Sequence, residues 1–292
     1  MIFLLLTVLL LDQAFDPIIL PGLGVMPRGG VLFVLFVVLI SLAVPELARM
    51  FEARAIIADR LMLWLAATTG LALVYFEPRP FGAGSMMMIA GTGIAILFML
   101  GLIRIAWHRR PDGAISATGA VLFSFTYLGI LPGFYLAIRQ DHTAWLIAAI
   151  LLVTKSCDIG AYFTGRAIGQ HKLISWLSPG KTWEGLFGGM ALAAVLAMML
   201  AAIGNATQWT GHYGPNGNFV HHNLPIPLAA IAGCLLGALG QLGDLVASLL
   251  KRDAGLKDSG RWIRGFGGVL DVIDSPILVG PIAYWLLTVT GR

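Results

Sequence analysis

Two aspartates set among apolar residues, Asp244 and Asp271, are the side chains of this chain best suited to chemistry. A carboxylate inside a bilayer-length apolar run costs about 2.5–3.5 kcal/mol on insertion scales, so such residues usually face protein, where they bind ions or do chemistry. Asp244 is followed at four, seven and eight positions by Ser248, Lys251 and Arg252, spacings that share one helical stripe. Asp271 comes just after Gly267-Gly268, and Asp274 stands three residues further on. Hard divalent ions take oxygen ligands, and Mg²⁺ commonly uses one or two carboxylates together with substrate phosphate. Lys251, Arg252, Lys257, Arg261 and Arg264 lie between the two acids and suit a polyanion. The pattern points to a metal-assisted phosphoryl-type reaction on a lipid, with Asp244 and Asp271 as metal carboxylates if the intervening loop folds back. Spacing alone allows an equal alternative, in which the acids pair with the local cations as structural salt bridges.

A second constellation runs from Asp158 to Gly189. Asp158, Tyr162 and Arg166 recur every fourth residue and share a face if the helix continues that far. Arg166, Lys172 and Lys181 are placed to meet phosphate oxygens. Ser178-Pro179-Gly180 reads as a turn and Thr182 as a helix N-cap. Glu184 then falls in the first helical turn, where the helix dipole favours an acid. Contact with a nucleotide or with Lys181 is the other reading of Glu184. No Walker-type phosphate loop is present.

These residues need a frame, and composition indicates which. Of 292 residues, 58% are hydrophobic and 12% charged, against about 25% charged in soluble domains. The expected fold is therefore all-α: a polytopic integral membrane protein with about nine transmembrane helices. Candidate spans fall near 2–20, 30–47, 60–76, 85–106, 117–137, 143–154, 183–203, 226–249 and 275–290. The first is read as a retained helix. The sixth is short and runs into Lys155, Ser156 and Asp158, which predicts that it ends inside the protein. Residues 1–140 are expected to form supporting helices and 141–292 the catalytic part with its loops. Cys157 and Cys234 make no metal-type spacing and no disulfide framework.

Basic residues orient the spans. Alternate connections hold Arg49, Arg54, Arg60, Arg104, Arg109, Arg110, Lys155, Arg166, Lys172, Lys181, Lys251, Arg252, Lys257, Arg261 and Arg264, against Arg28, Arg79, Arg139 and Arg292 on the other side. The first set predicts a cytoplasmic face carrying both constellations, with the N-terminus inside and the C-terminus outside. The stretch 204–225 has no acid, Lys or Arg, only His212, His221 and His222, and fits an outer loop. Arg104, His108, Arg109 and Arg110 read as an anchor beside anionic headgroups, with substrate binding as the alternative. Nothing in the chain suggests nucleic-acid binding.

Both stretches closely resemble the phosphatidate cytidylyltransferases, also called CDP-diacylglycerol synthases. The diagnostic run of that family stands here as Ser248, Lys251-Arg252, Lys257-Asp258, Gly267-Gly268, Asp271 and Asp274-Ser275. The upstream run stands as Asp158, Ala161-Tyr162, Gly165-Arg166, Gly169, Lys172-Leu173, Ser178-Pro179, Lys181-Thr182 and Glu184-Gly185. The resemblance covers mainly residues 155–290. It implies a dimeric membrane enzyme of about nine helices that joins CTP and phosphatidate to give CDP-diacylglycerol and pyrophosphate. It implies Mg²⁺, with a monovalent cation such as K⁺, Asp244 and Asp271 as the metal carboxylates, and Lys251 beside them. The remaining motif residues would bind substrate, in a bacterial inner membrane with the site facing the cytoplasm. Two departures stand out. The usual Pro-Gly-His-Gly-Gly is Arg264-Gly265-Phe266-Gly267-Gly268, and the usual Arg after the first late acid is Val272. They motivate two alternatives: transfer to a different lipid phosphate, or a non-enzymatic lipid-binding homologue. A transporter is disfavoured by the lack of repeat symmetry and by the one-sided basic loops.

Overall fold

A computed structural model describes residues 2–15, 19–20, 24–25, 27–57, 59–76, 92–96, 99, 103, 113–214, 217–260 and 267–290. Its principal helices are α1 (Ile2–Ala14), α2 (Gly30–Ala53), α3 (Arg60–Tyr75), α4 (Ala114–Asp141), α5 (Ala144–Ile168), α6 (Trp183–Thr207), α7 (Ile226–Asp253) and α8 (Leu270–Thr290). In lipid the backbone must satisfy its own hydrogen bonds, which is why long apolar runs become helices. Six of these helices, α2 and α4 to α8, are long and apolar enough to cross a membrane; α3 is apolar but shorter. Of the expected all-α, nine-span fold, the mostly helical character is borne out, with six helices of spanning length among the described residues. The fourth expected span lies largely outside those residues, as do Arg104, His108, Arg109, Arg110, Arg261, Arg264 and Phe266.

Two expectations of local structure on the 143–182 stretch are corrected. The helix at 143–154 does not end there but runs on to Ile168. Its polar residues are satisfied in place: the Thr154 and Ser156 hydroxyls donate to the carbonyls of Ile150 and Val153 at 2.8 and 2.7 Å, and Lys155 reaches Asp158 at 3.2 Å. Ser178-Pro179-Gly180 is not the turn. These residues belong to a strand, β4 (Ser178–Thr182), paired antiparallel with β3 (Lys172–Ile174). The turn falls at Ser175-Trp176-Leu177. Pro179 is tolerated because a two-stranded ribbon has only edge strands. Two further small hairpins pair β1 (Ile19–Leu20) with β2 (Gly24–Val25) and β5 (Gly211–Tyr213) with β6 (Phe219–His221).

The chain divides into two compact units. One comprises Met1–Leu32, Tyr135–Leu249 and Ile273–Arg292; the other comprises Phe33–Phe134 and Leu250–Val272. Helices α2, α4, α7 and α8 contribute to both.

In the first unit, α5 and α6 pack along their length. A Cβ on Gly160 would come within 3.0 Å of the Gly189 Cα, so the two backbones approach closely only because both residues are glycine. Val153, Cys157 and Ala193 form the buried core there. Arg139, counted from sequence as part of an outer connection, lies instead in the last turn of α4 and is fully buried. Its Nε meets Asp12 of α1 at 2.6 Å, and Asp12 also accepts the Leu32 amide at 3.0 Å. The β5–β6 hairpin is tied to the same end of the unit: His142 donates from Nδ1 to the Gly211 carbonyl at 2.7 Å. Burial holds the His142 imidazole below its usual pKa.

In the second unit, α3 packs against the middle of α4, where Phe125–Ile130 forms a π-helical segment. The Ser124 hydroxyl donates to the Leu63 carbonyl at 2.9 Å, and Phe51 meets Phe123 edge to face.

Candidate active site

The first unit gathers acids and cations from four elements. Asp158 of α5 accepts from Gln241 of α7 at 2.7 Å and from Lys155 at 3.2 Å. Lys155 also donates to the Ser275 hydroxyl of α8 at 3.1 Å, and Asp274 accepts the Ser275 amide at 2.6 Å. Lys181, on β4, reaches across to α7. Its ammonium meets Asp244 at 2.8 Å and the Gln241 carbonyl at 3.1 Å. The β3–β4 hairpin therefore positions Lys181, and a helix of transmembrane length carries its partner acid. Asp244 keeps 34% of its side chain exposed, while Asp274 is buried. Charges stranded in apolar helices are costly alone, and this network supplies each with a partner.

The β3–β4 hairpin also orders the start of α6. The Thr182 hydroxyl accepts the Gly185 amide at 3.1 Å, the N-cap expected from sequence. Glu184 turns to His171, accepting from its Nδ1 at 2.6 Å and from its backbone amide at 3.2 Å. Its bonds thus go to His171, and Lys181 is committed to Asp244. Arg166 donates to the Tyr162 hydroxyl at 3.0 Å, as the four-residue spacing requires, and both side chains are exposed. Lys172 is exposed on β3, and Ser248 is half-buried on α7.

The second unit holds the other aspartate. Lys251, near the end of α7, meets Asp271 Oδ1 at 2.7 Å with both side chains largely shielded. The other oxygen, Oδ2, accepts the Ser259 amide at 3.0 Å and the Gly268 amide at 2.9 Å, and lies 2.9 Å from the Ser259 hydroxyl. The Gly-Gly pair has a steric cause. Gly267 has φ +88°, and a Cβ there would come within 2.6 Å of Asp271 Oδ2. A Cβ on Gly268 would collide with Ser259 and with Glu46 of α2. Arg252, Lys257 and Asp258 are exposed beside this loop.

Sequence reasoning missed Gln241, Ser259 and Glu46. The first two are neutral and short-range patterns give them no role. Glu46 sits near Arg49, Glu52 and Arg54 in a stretch that reads as an ordinary charged helix end. Every acid described here offers hard oxygen atoms, the donor type that Mg²⁺ prefers. Among the described residues, no group of three or more His, Cys, Asp or Glu is arranged to enclose a metal by protein alone.

A model of the cytidylyltransferase family matches residues 17–290. A phosphatidate cytidylyltransferase of Staphylococcus haemolyticus is 32% identical over 91% of this chain and 93% of its own length. The Bacillus subtilis protein of that name is 30% identical over 85% of each chain. The Haemophilus influenzae one is 34% identical over 63% of this chain and 60% of its own. Matched from its second helix to its last and across both motif-bearing stretches, the chain belongs to the cytidylyltransferase family.

Proposed function

We propose that this chain is a CTP:phosphatidate cytidylyltransferase of a bacterial inner membrane, acting as a homodimer with its reaction centre on the cytoplasmic side. In the reaction, a phosphate oxygen of phosphatidate bonds to the α-phosphorus of CTP. The bond from that phosphorus to the oxygen bridging to the β-phosphate breaks, and pyrophosphate leaves. The observation that carries this reading is the pair of lysine–aspartate bonds, Lys181–Asp244 and Lys251–Asp271. It occurs in a chain whose relatives over most of its length are named for this reaction. The lipid stays in its leaflet while CTP arrives from water, which fits acids and cations placed toward the ends of apolar helices.

Asp244 and Asp271 are the carboxylates we propose for Mg²⁺, with K⁺ as a candidate monovalent cation. When bound, the divalent ion supplies charge neutralisation at the phosphate oxygens. The chain's own part is electrostatic positioning. Lys181 and Lys251 each present an ammonium that a triphosphate can share with the carboxylate already held. Arg166, Lys172, Arg252 and Lys257 are exposed cations able to collect the polyanion from water. Asp158, Tyr162, Glu184, Ser248, Asp258, Gly267, Gly268 and Asp274 complete the proposed substrate-binding surround.

The test is an acceptor-resolved assay with purified protein, labelled CTP and Mg²⁺, offering phosphatidate, lysophosphatidate and a polyprenyl phosphate. The expected result is pyrophosphate release and labelled lipid with phosphatidate above the others. Preference for another acceptor would change the substrate. Lipid binding without pyrophosphate release from any acceptor would overturn the enzymatic reading.

A further inference from the structure

Glu46 lies in PELARMFEA on α2 and is completely enclosed within the second unit. Its two oxygens meet three donors from a segment more than two hundred residues later in the chain. Oε1 accepts the Val269 amide at 2.9 Å. Oε2 accepts the Leu270 amide at 2.9 Å and lies 2.9 Å from the Ser259 hydroxyl. The two amides open α8, where the first N–H groups have no partner within the helix and a carboxylate is favoured by the dipole. Glu46 thus caps α8 from another helix.

The same loop also clasps Asp271, and the Ser259 hydroxyl is the group shared by both acids. The Ser259 hydroxyl is equidistant from Glu46 Oε2 and Asp271 Oδ2, yet it has one proton and donates to one acid at a time. Gly268 donates its amide to Asp271, and its Cα packs against the Glu46 carboxylate so tightly that no Cβ fits. A Cβ on Gly260 would likewise collide with the Glu46 carboxylate. Two of the groups that hold Asp271 Oδ2, the Ser259 hydroxyl and Gly268, therefore also touch Glu46, while Oδ1 pairs with Lys251.

We propose that Glu46 is a positioning residue for Asp271, fixing the direction in which that carboxylate presents its oxygens. This rests on reading Asp271 as a metal carboxylate. A purely structural cap would also lower stability when removed, so the deciding readout is metal affinity. The full-length protein in lipid nanodiscs is titrated with Mn²⁺ by electron paramagnetic resonance, and turnover and melting temperature are measured on the same samples. The variants are Glu46→Gln, Ser259→Ala, their combination and Asp271→Asn. Glu46→Gln keeps the shape but turns an amide donor toward groups that donate. Loss of such supporting contacts costs roughly 10–100-fold in metal affinity, and that weakening is expected in both single variants. The double variant is expected to be no weaker than the worse single, because both act through one chain of contacts.

Wild-type Mn²⁺ affinity in Glu46→Gln and Ser259→Ala, whatever their melting temperatures, would overturn the proposal. If Glu46→Gln does not fold, wild-type affinity in Ser259→Ala alone overturns it. Asp271→Asn separates the two levels. If it binds Mn²⁺ and turns over like wild type, the metal reading of Asp271 itself fails. If it loses both while the Glu46 and Ser259 variants behave as wild type, only the role of Glu46 fails.

Discussion

Lys251 reaches Asp271 across twenty residues of chain at 2.7 Å, and its charge is largely shielded from solvent. A charge-assisted hydrogen bond is worth about 1.5–3 kcal/mol, so a phosphate that takes over this ammonium gains substantially from it. Lys251→Ala is expected to raise KM for CTP by at least about tenfold, the ~1.4 kcal/mol step; an unchanged KM would remove the lysine from the site. At this scale the sequence was most readable where a charge stood against its surroundings. Asp244 and Asp271 drew notice because apolar neighbours make a carboxylate costly. Glu46 did not, because it lies close to other charged residues and its partners arrive only when the loop before α8 folds onto α2. Glycine spacing was visible at 267–268, but its cause, the lack of room beside Asp271 and Glu46, is a property of the packed loop.

Helices were legible by length and hydropathy, and their ends were not. By sequence alone, the helix of α5 is expected to stop where its polar residues begin. It continues because Asp158, Lys155, Gln241 and Ser275 satisfy one another inside the first unit. Pairing of this kind is long-range and leaves no local pattern. The same holds for Arg139, whose partner Asp12 lies 127 residues away on α1. Removing one member of a buried ion pair leaves an uncompensated charge and costs roughly 3–5 kcal/mol. Asp12→Asn is therefore expected to lower the melting temperature of the purified protein markedly, measured by thermal unfolding in detergent. Asp12→Asn combined with Arg139→Met should recover much of that loss. Equal stability of Asp12→Asn and wild type would show that this pair does not anchor α1.

For the whole molecule, composition pointed to a mostly helical chain with helices long and apolar enough to cross a membrane, and the motif residues pointed to the family. The interleaving of two compact units was not readable, because their members alternate along the chain and four helices contribute to both. The two aspartates belong to different units. The most direct measurement is CTP-dependent pyrophosphate release with phosphatidate and Mg²⁺, by Asp244→Asn, Asp271→Asn and wild type, with thermal unfolding as the folding control. The account predicts that each variant loses at least about a hundredfold in turnover, the scale of a removed electrostatic group, while it still folds and unfolds cooperatively. Full turnover in either folded variant would contradict it.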